Sequence, residues 1–318
     1  MLSGMTTVVV TGGAGFIGAN LCRHLTADPR IDAVTVLDDL STGFADNLDG
    51  VDVTLVEGSI LDDAALDRAL AGADAIVHLA ARPSVPRSVA DPVASHHANA
   101  TGTLLVLEAM RRHDVGHVVV ASSSSVYGAN PTLPKSEDLV PQPMSPYAVS
   151  KLATESYALA NAHVYGFGAL AFRFFNVYGP YQRAGHAYAA VIPAFVDAAL
   201  DGRPLPVHGD GSQSRDFTYV GSVCDVLTEA VAERIVAGGP VNLAFGGRHT
   251  LLDVIDRMEA MLGHPLEREH HPTRPGDVPH SQADQHKLRR LFPKLEPVDL
   301  DDGLRRTVDW HRSLREDG

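Results

Sequence analysis

The chain is short of positive charge: 26 Lys and Arg stand against 39 Asp and Glu, a formal net charge of −13. That balance argues against a surface built for nucleic acid or anionic membrane, while leaving room for a locally positive pocket that takes a small anion. Cysteine is nearly absent. Cys22 and Cys224 are the only two, so no disulfide framework is implied and a reducing compartment fits. No apolar run approaches the ~18 residues of a membrane-spanning helix. The N-terminus lacks the charged-then-apolar order of a secretion signal, so a cytoplasmic location is expected. The four residues before Met5 read as an upstream start or an appended remnant. Repeats and low-complexity segments are also missing. The sixteen histidines include the pairs His96-His97 and His270-His271. Adjacent helical side chains point about 100° apart, and no Cys or carboxylate stands at a zinc-ligand spacing. These histidines are expected to face solvent or cap helices, with no metal bound.

What is present is an alternation. "TTVVVTG", "AVTVLDD", "VDVTLVEG", "ADAIVHLAA", "HVVVASSS" and "GALAFRFFN" are short β-branched runs. Between them lie helical patterns over Phe16–Ala27, "LDDAALDRALAG", Asn99–Arg112 and Tyr147–Tyr165. Buried runs joined by helical crossovers predict an α/β fold, a doubly wound parallel sheet of the Rossmann kind. After Asn176 glycine and proline become frequent, with helices expected at Ala189–Leu200, Val223–Val236, Leu251–Leu262 and Leu300–Arg315. This texture suggests a smaller, loop-rich C-terminal substrate domain. The expected division is 1–175 with a return segment at about 218–245 for the nucleotide-binding domain, and 176–217 with 246–318 for the other.

"VVVTGGAGFIGANL" carries G-x-G-x-x-G at Gly13, Gly15 and Gly18, directly after a strand and opening a helix. Glycines there allow a tight turn, and the helix N-terminus offers free N–H groups to a pyrophosphate. Asp38 ends the second strand twenty residues after Gly18, where a carboxylate accepts hydrogen bonds from an adenosine ribose and repels a 2′-phosphate. NAD is therefore expected in preference to NADP. Tyr147 and Lys151 stand at i and i+4, on one face of a helix. An ammonium beside a phenol favours phenolate, and the serine run 122–125 supplies a hydroxyl from a strand end, where ligands of such folds bind.

These motifs, with "VHLAA", "NATGTLLVLEAM", "SSSSVYG", "SPYAVSK", "RFFNVYGP", "GDGSQSRDFTYV" and "RPGDVPHSQAD", resemble the extended short-chain dehydrogenase/reductase family, on its nucleotide-sugar epimerase branch, from about Val8 to Trp310. The resemblance implies Ser123, Tyr147 and Lys151 as catalytic residues. It implies Gly12, Gly13, Gly15, Phe16, Ile17, Gly18, Asp38, Ser59, Ile60, Leu79, Ala80, Ala81, Asn99 and Lys151 around NAD. Ser59 replaces the acidic residue that often contacts adenine. Ser124, Ser125, Asn176, Arg183, Val191, Arg215, Arg274, Asp277 and Ser281 would contact a UDP-sugar. The implied reaction is epimerisation at C4 through a transient 4-keto sugar, with NAD retained throughout. A homodimer through Asn99–Arg112 and Tyr147–Tyr165 is also implied.

Related dehydratases and decarboxylases need an acid beside the catalytic hydroxyl; here those positions are Ser124 and Ser125. Among hexoses, Ser281 leaves space for an N-acetyl group where a tyrosine would fill it. Arg183 could instead fork onto a C6 carboxylate, so UDP-glucose/galactose and UDP-glucuronate both stand. A dinucleotide sensor on the same fold and an oxidoreductase releasing NADH are further readings.

Overall fold

The computed structural model describes residues 6–184, 190–273 and 278–316. The chain runs β1 (Thr7–Thr11), α1 (Phe16–Ala27), β2 (Ala33–Asp38), β3 (Thr54–Glu57), α2 (Asp63–Leu70), β4 (Ala75–His78), then two short helices, α3 (Val85–Ala90) and α4 (Pro92–His96). It continues through α5 (Gly102–Arg112), β5 (His117–Ser123), α6 (Pro146–Tyr165), β6 (Gly168–Phe174), β7 (Asn176–Tyr178), α7 (Val191–Leu200), β8 (Leu205–His208), β9 (Ser214–Arg215) and β10 (Phe217–Tyr219). The last elements are α8 (Val220–Ala232), β11 (Val241–Leu243), β12 (His249–Thr250), α9 (Leu251–Leu262), β13 (Arg268–His271), α10 (His286–Leu291) and α11 (Leu300–Glu316).

Among the described residues a seven-stranded sheet orders these as β11-β6-β5-β4-β1-β2-β3, with every neighbouring pair parallel. The chain leaves β1 for β2 on one side and returns to place β4 on the other. The switch point therefore lies between β1 and β4, where ligands of open α/β sheets bind. Register puts Thr11 beside His78, and β5 runs three residues further, from Val120 opposite His78 to Ser123. The central strands are buried on both faces, whereas the edge strand β3 is largely exposed: Val8 and Val10 pack towards α1 and α8, and Val9, Ile76 and Val118 pack towards α2, α5 and α6. β11 forms one edge of the sheet, and α8 packs against α1. Beyond the sheet, β7 pairs with β10, β8 with β13 and β9 with β12.

Local sequence explains the long elements. Ser145 caps α6 by accepting from Ala148 N, Pro146 opens its first turn, and Gly166 ends it at φ +78°, a left-handed geometry that glycine adopts freely. Thr250 and Asp253 form a capping box on α9. Three expectations shift. The expected helix from Asn99 begins instead as a π turn over His97–Thr101, with α5 starting at Gly102 and two proline-initiated short helices before it. Asn99, within this π turn, is buried. α8 starts at Val220 and ends at Ala232, Arg234 having a positive φ of +49°. α7 starts at Val191 with Pro193 in its first turn, the residue Ala189 lying outside the described residues. No helix among the described residues is long and apolar enough to cross a membrane.

A buried polar chain crosses the sheet beneath the ends of β5 and β6. Ser122 donates to Glu155 (2.7 Å), Arg173 forks onto Glu155 through Nη2 (2.6 Å) and Nε (3.0 Å), and the Arg173 guanidinium lies 4.7 Å from the Tyr127 ring centroid. Tyr127 donates to Asn242 on β11 at 2.6 Å. Removing one member of a buried ion pair leaves an uncompensated charge, which costs about 3–5 kcal/mol. Urea denaturation of Arg173→Ala is expected to show a loss of that order. A loss below ~1 kcal/mol, the range of exposed pairs, would contradict this network's place in the fold.

Candidate active site

Residues 12–18 follow from one steric fact: backbone passes too close for side chains. Gly12 has φ +74°, and a Cβ there would lie 2.7 Å from Ala80 N. A Cβ on Gly18 would lie 2.2 Å from Gly12 O, so α1 can start only with glycine at that position. Gly15 differs: its Cβ would meet nothing nearer than Gly12 O at 3.3 Å. The loop thus opens outward at Gly15, which is also the N-cap of α1 and provides no side-chain cap. The first-turn N–H groups, at Phe16 and Ile17, are left to a ligand. An open cradle at an uncapped helix start fits a dinucleotide pyrophosphate.

Asp38 is buried, and its two carboxylate oxygens accept from Ala14 N and Leu40 N, each at 2.9 Å. Desolvation raises its pKa against those two bonds. Lone pairs remain for a ribose hydroxyl. Ser59 accepts from Leu61 N at 3.2 Å, turning the chain after β3, and Ile60 packs against Gly102. Leu79, Ala80 and Ala81 follow β4 and are half-buried. Asn99 accepts from Arg82 N at 2.7 Å and donates to Ser150 at 2.9 Å, so it ties the loop after β4 to α6.

Sequence reasoning missed what lies underneath. His78 Nδ1 is 2.7 Å from the Thr11 hydroxyl and Nε2 is 3.0 Å from the Thr103 hydroxyl. Thr103 donates to Asn99 O at 2.6 Å, so it accepts from His78, which fixes the Nε2–H tautomer. Burial, with a smaller effect from Lys151, pushes the imidazole pKa down to about 3. A neutral histidine at the end of β4 therefore joins the end of β1 to the start of α5. His117 and His311 are also buried, a correction to the expectation that the histidines face solvent or cap helices; His96 and His97 are exposed. The one available signal was the position of His78 at a strand end inside "VHLAA".

Ser123 ends β5, and its hydroxyl accepts from Ser125 N at 3.2 Å, capping the short helical turn Ser124–Tyr127. The same side chain lies close enough to Tyr147 to lower its pKa in part. Lys151 is buried, and its Nζ donates to Ala121 O at 2.8 Å. Two effects act on the Tyr147 phenol in this structure. Burial raises the Tyr147 pKa, and the neighbouring Ser123 side chain lowers it in part. Desolvation also brings Lys151 down to about 8. The ammonium is anchored to β5 through Ala121 O. Ser125 Oγ is buried without a partner among the described residues. The nearby acids are committed, Glu155 to Arg173 and Ser122 and Glu137 to Asn242 N at 2.8 Å.

Beyond the sheet, Asn176 lies on β7 and Val191 opens α7. Arg215 is buried on β9, donating to Ser214 O and Pro279 O, and Ser281 is buried beside it, its N–H donating to Ser214 O at 3.0 Å. Arg274 and Asp277 lie outside the described residues. Arg183 is placed differently from its expected carboxylate-binding role. Its Nη2 forks onto Asp46 at 2.9 and 3.0 Å, and its guanidinium stacks 3.9 Å from the Phe44 ring centroid. Both partners follow β2, next to the phosphate loop, so its charge is already matched there.

Residues 8–244 match the model of the NAD dependent epimerase/dehydratase family. A UDP-glucose 4-epimerase of Mycolicibacterium smegmatis is 37% identical, over 96% of this chain and 98% of that protein. A UDP-N-acetylglucosamine 4-epimerase structure from Methanobrevibacter ruminantium, in complex with UDP-N-acetylmuramic acid, superposes with a TM-score of 0.91 at 36% identity, covering 98% of this chain and 99% of that one. A UDP-glucose 4-epimerase from Thermus thermophilus in complex with NAD gives a TM-score of 0.87 at 34% identity, over 96% and 99%. Agreement in family model, whole-length sequence and fold leaves one assignment: the chain belongs to the NAD dependent epimerase/dehydratase family.

Proposed function

We propose that the chain is an NAD-dependent UDP-hexose 4-epimerase acting on the glucose/galactose pair, with space for N-acetyl sugars. The observation that carries this reading is the meeting of Tyr147 with Ser123, which lowers the phenol pKa in part, at the carboxyl end of the sheet, backed by buried Lys151, while Glu155 and Glu137 are committed to other partners among the described residues. NAD, when bound, supplies the acceptor and later the donor for the hydrogen at C4. Gly12–Gly18 and Asp38 would hold its pyrophosphate and ribose, and Leu79, Ala80, Ala81 and Asn99 its other half. Tyr147 takes the proton from the sugar 4-hydroxyl and later returns it; Ser123 donates to the phenolic oxygen and so steadies the deprotonated form. Ser124 and Ser125 offer neutral hydroxyls to the sugar, Asn176 and Arg215 bind the diphosphate, and Ser281 leaves room at C2. Arg274 and Asp277 are assigned to the nucleotide by resemblance alone.

The relatives' names support UDP-sugar 4-epimerisation, and the committed acids disfavour dehydration. Pairing of Arg183 with Asp46 disfavours the glucuronate alternative. The domain division at about residue 175, with its return segment, is part of the same proposal, as is cytoplasmic location, which the two free buried cysteines suit. A homodimer is proposed through α5 and α6, where Val149, Tyr157 and Val164 leave apolar surface exposed on α6.

Three outcomes are expected. Tyr147→Phe should lower turnover by about 10²–10⁴-fold, the range for a lost acid–base group, with the circular dichroism spectrum and bound NAD unchanged; retained activity would remove Tyr147 from this role. Ser123→Ala deletes the bond that holds the phenol pKa down, so that pKa rises. The ascending limb of kcat/KM against pH should then move to higher pH, and an unmoved limb would show that Ser123 does not tune the phenol. In a side-by-side product assay, UDP-glucose and UDP-N-acetylglucosamine should be epimerised and UDP-glucuronate should not; preference for UDP-glucuronate would restore the carboxylate reading.

A further inference from the structure

Arg183 belongs to a segment that leaves the substrate side of the molecule and lies against the cofactor side. From β7 the chain passes Pro180, whose carbonyl accepts from Asn20 Nδ2 on α1 at 2.9 Å. Tyr181 follows in a left-handed conformation, φ +67°, which is costly for a side-chain-bearing residue and persists only where surroundings enforce it. Its ring is held between the Arg23 guanidinium, 4.4 Å from the centroid, and Trp310, 5.3 Å between centroids. Arg183 then reaches the segment after β2, pairing with Asp46 and stacking on Phe44. That segment is itself fastened to the phosphate loop. Phe44 N donates to Ala14 O at 3.0 Å, Asn47 Nδ2 donates to the same oxygen at 2.9 Å, and a Cβ on Gly43 would lie 2.9 Å from Ala14 C. Ala14 N in turn donates to Asp38. An unbroken set of contacts therefore runs from β7 through Arg183 and Asp46 to the loop between Gly13 and Gly15.

We propose that the Arg183–Asp46 pair, stacked on Phe44, is a latch that fastens the strap 180–183 over the dinucleotide loop and so retains NAD through turnover. Arg183 is in this view a positioning residue for the cofactor, acting through the segment 43–47. The proposal deepens the epimerase reading and rests on its assignment of Gly12–Gly18 as the NAD cradle. A reaction with no net redox change gains nothing by releasing the cofactor, so a device that slows release suits it. The pair is partly exposed, Arg183 at 35% and Asp46 at 59%, and exposed ion pairs alone are weak. Stacking on an aromatic face adds to it, which sets the expected effect at about tenfold, equivalent to ~1.4 kcal/mol.

The test is the rate at which NAD-loaded protein releases NAD after rapid desalting, for wild type, Arg183→Ala, Asp46→Ala and the double variant. A latch makes both single variants release NAD about tenfold faster, and the double variant no faster than either, because both remove one coupled interaction. Arg183→Lys, which keeps charge but loses the planar stack, should fall between wild type and Arg183→Ala. Melting temperatures of the NAD-free proteins should stay together. If Arg183 instead attracts the anionic cofactor directly, Asp46→Ala removes a competing negative charge and slows release, which overturns the latch. Wild-type release rates in both single variants overturn it equally. A wild-type protein that binds no NAD at all overturns the cradle reading itself, a distinct outcome.

Discussion

The proposed active site depends on how α6 is fixed against β5. Tyr147 and Lys151 come from the helix, Ser123 from the strand, and their chemistry requires the two elements to meet in one register. Two buried contacts set it. Lys151 Nζ donates to Ala121 O, and Ser122, the residue before the catalytic candidate, donates to Glu155, one turn after Lys151. Glu155 is held by Arg173 from β6, so three consecutive elements are locked by charge-assisted bonds in a setting that water does not screen. Four serines in a row then have separable places: Ser122 faces the interior lock, Ser123 meets Tyr147, and Ser124 and Ser125 open the following turn.

The cofactor side is built from close approach. Glycine at 12 and 18 permits backbone-to-backbone contact that any Cβ would block, and Asp38 draws the loop towards β2 through Ala14 N. Underneath, neutral His78 spans Thr11 and Thr103. The same histidine in charged form would need an acceptor on Nδ1 as well, and burial disfavours that form strongly. The two halves are thus positioned by different physics, steric necessity above and satisfied hydrogen bonds below.

Much of this was legible in the sequence because it is periodic or motif-borne. Strands β1, β2, β4, β5 and β6 are short runs rich in apolar residues, α1 and α9 have the expected bounds, and the glycines at 13 and 18 have a steric reason. What was not legible depends on packing. The π turn at His97–Thr101 has no periodic signature, and α10, six residues long, is too short to show one. The pKa of Tyr147 follows from its burial and from Ser123 beside it, which spacing on a helix does not reveal. Arg183 could be read towards a substrate because its partner Asp46 is 137 residues away and joined to it only by the fold.

The central claim is that one phenol handles both proton transfers at C4 while the cofactor stays in place. Turnover of UDP-glucose carrying deuterium at C4 tests it most directly. The expected product is UDP-galactose with the label still at C4 and none in solvent, since the hydrogen taken from one face is returned to the other within one molecule of enzyme. Loss of the label from C4, or its accumulation in released NADH, would contradict the account.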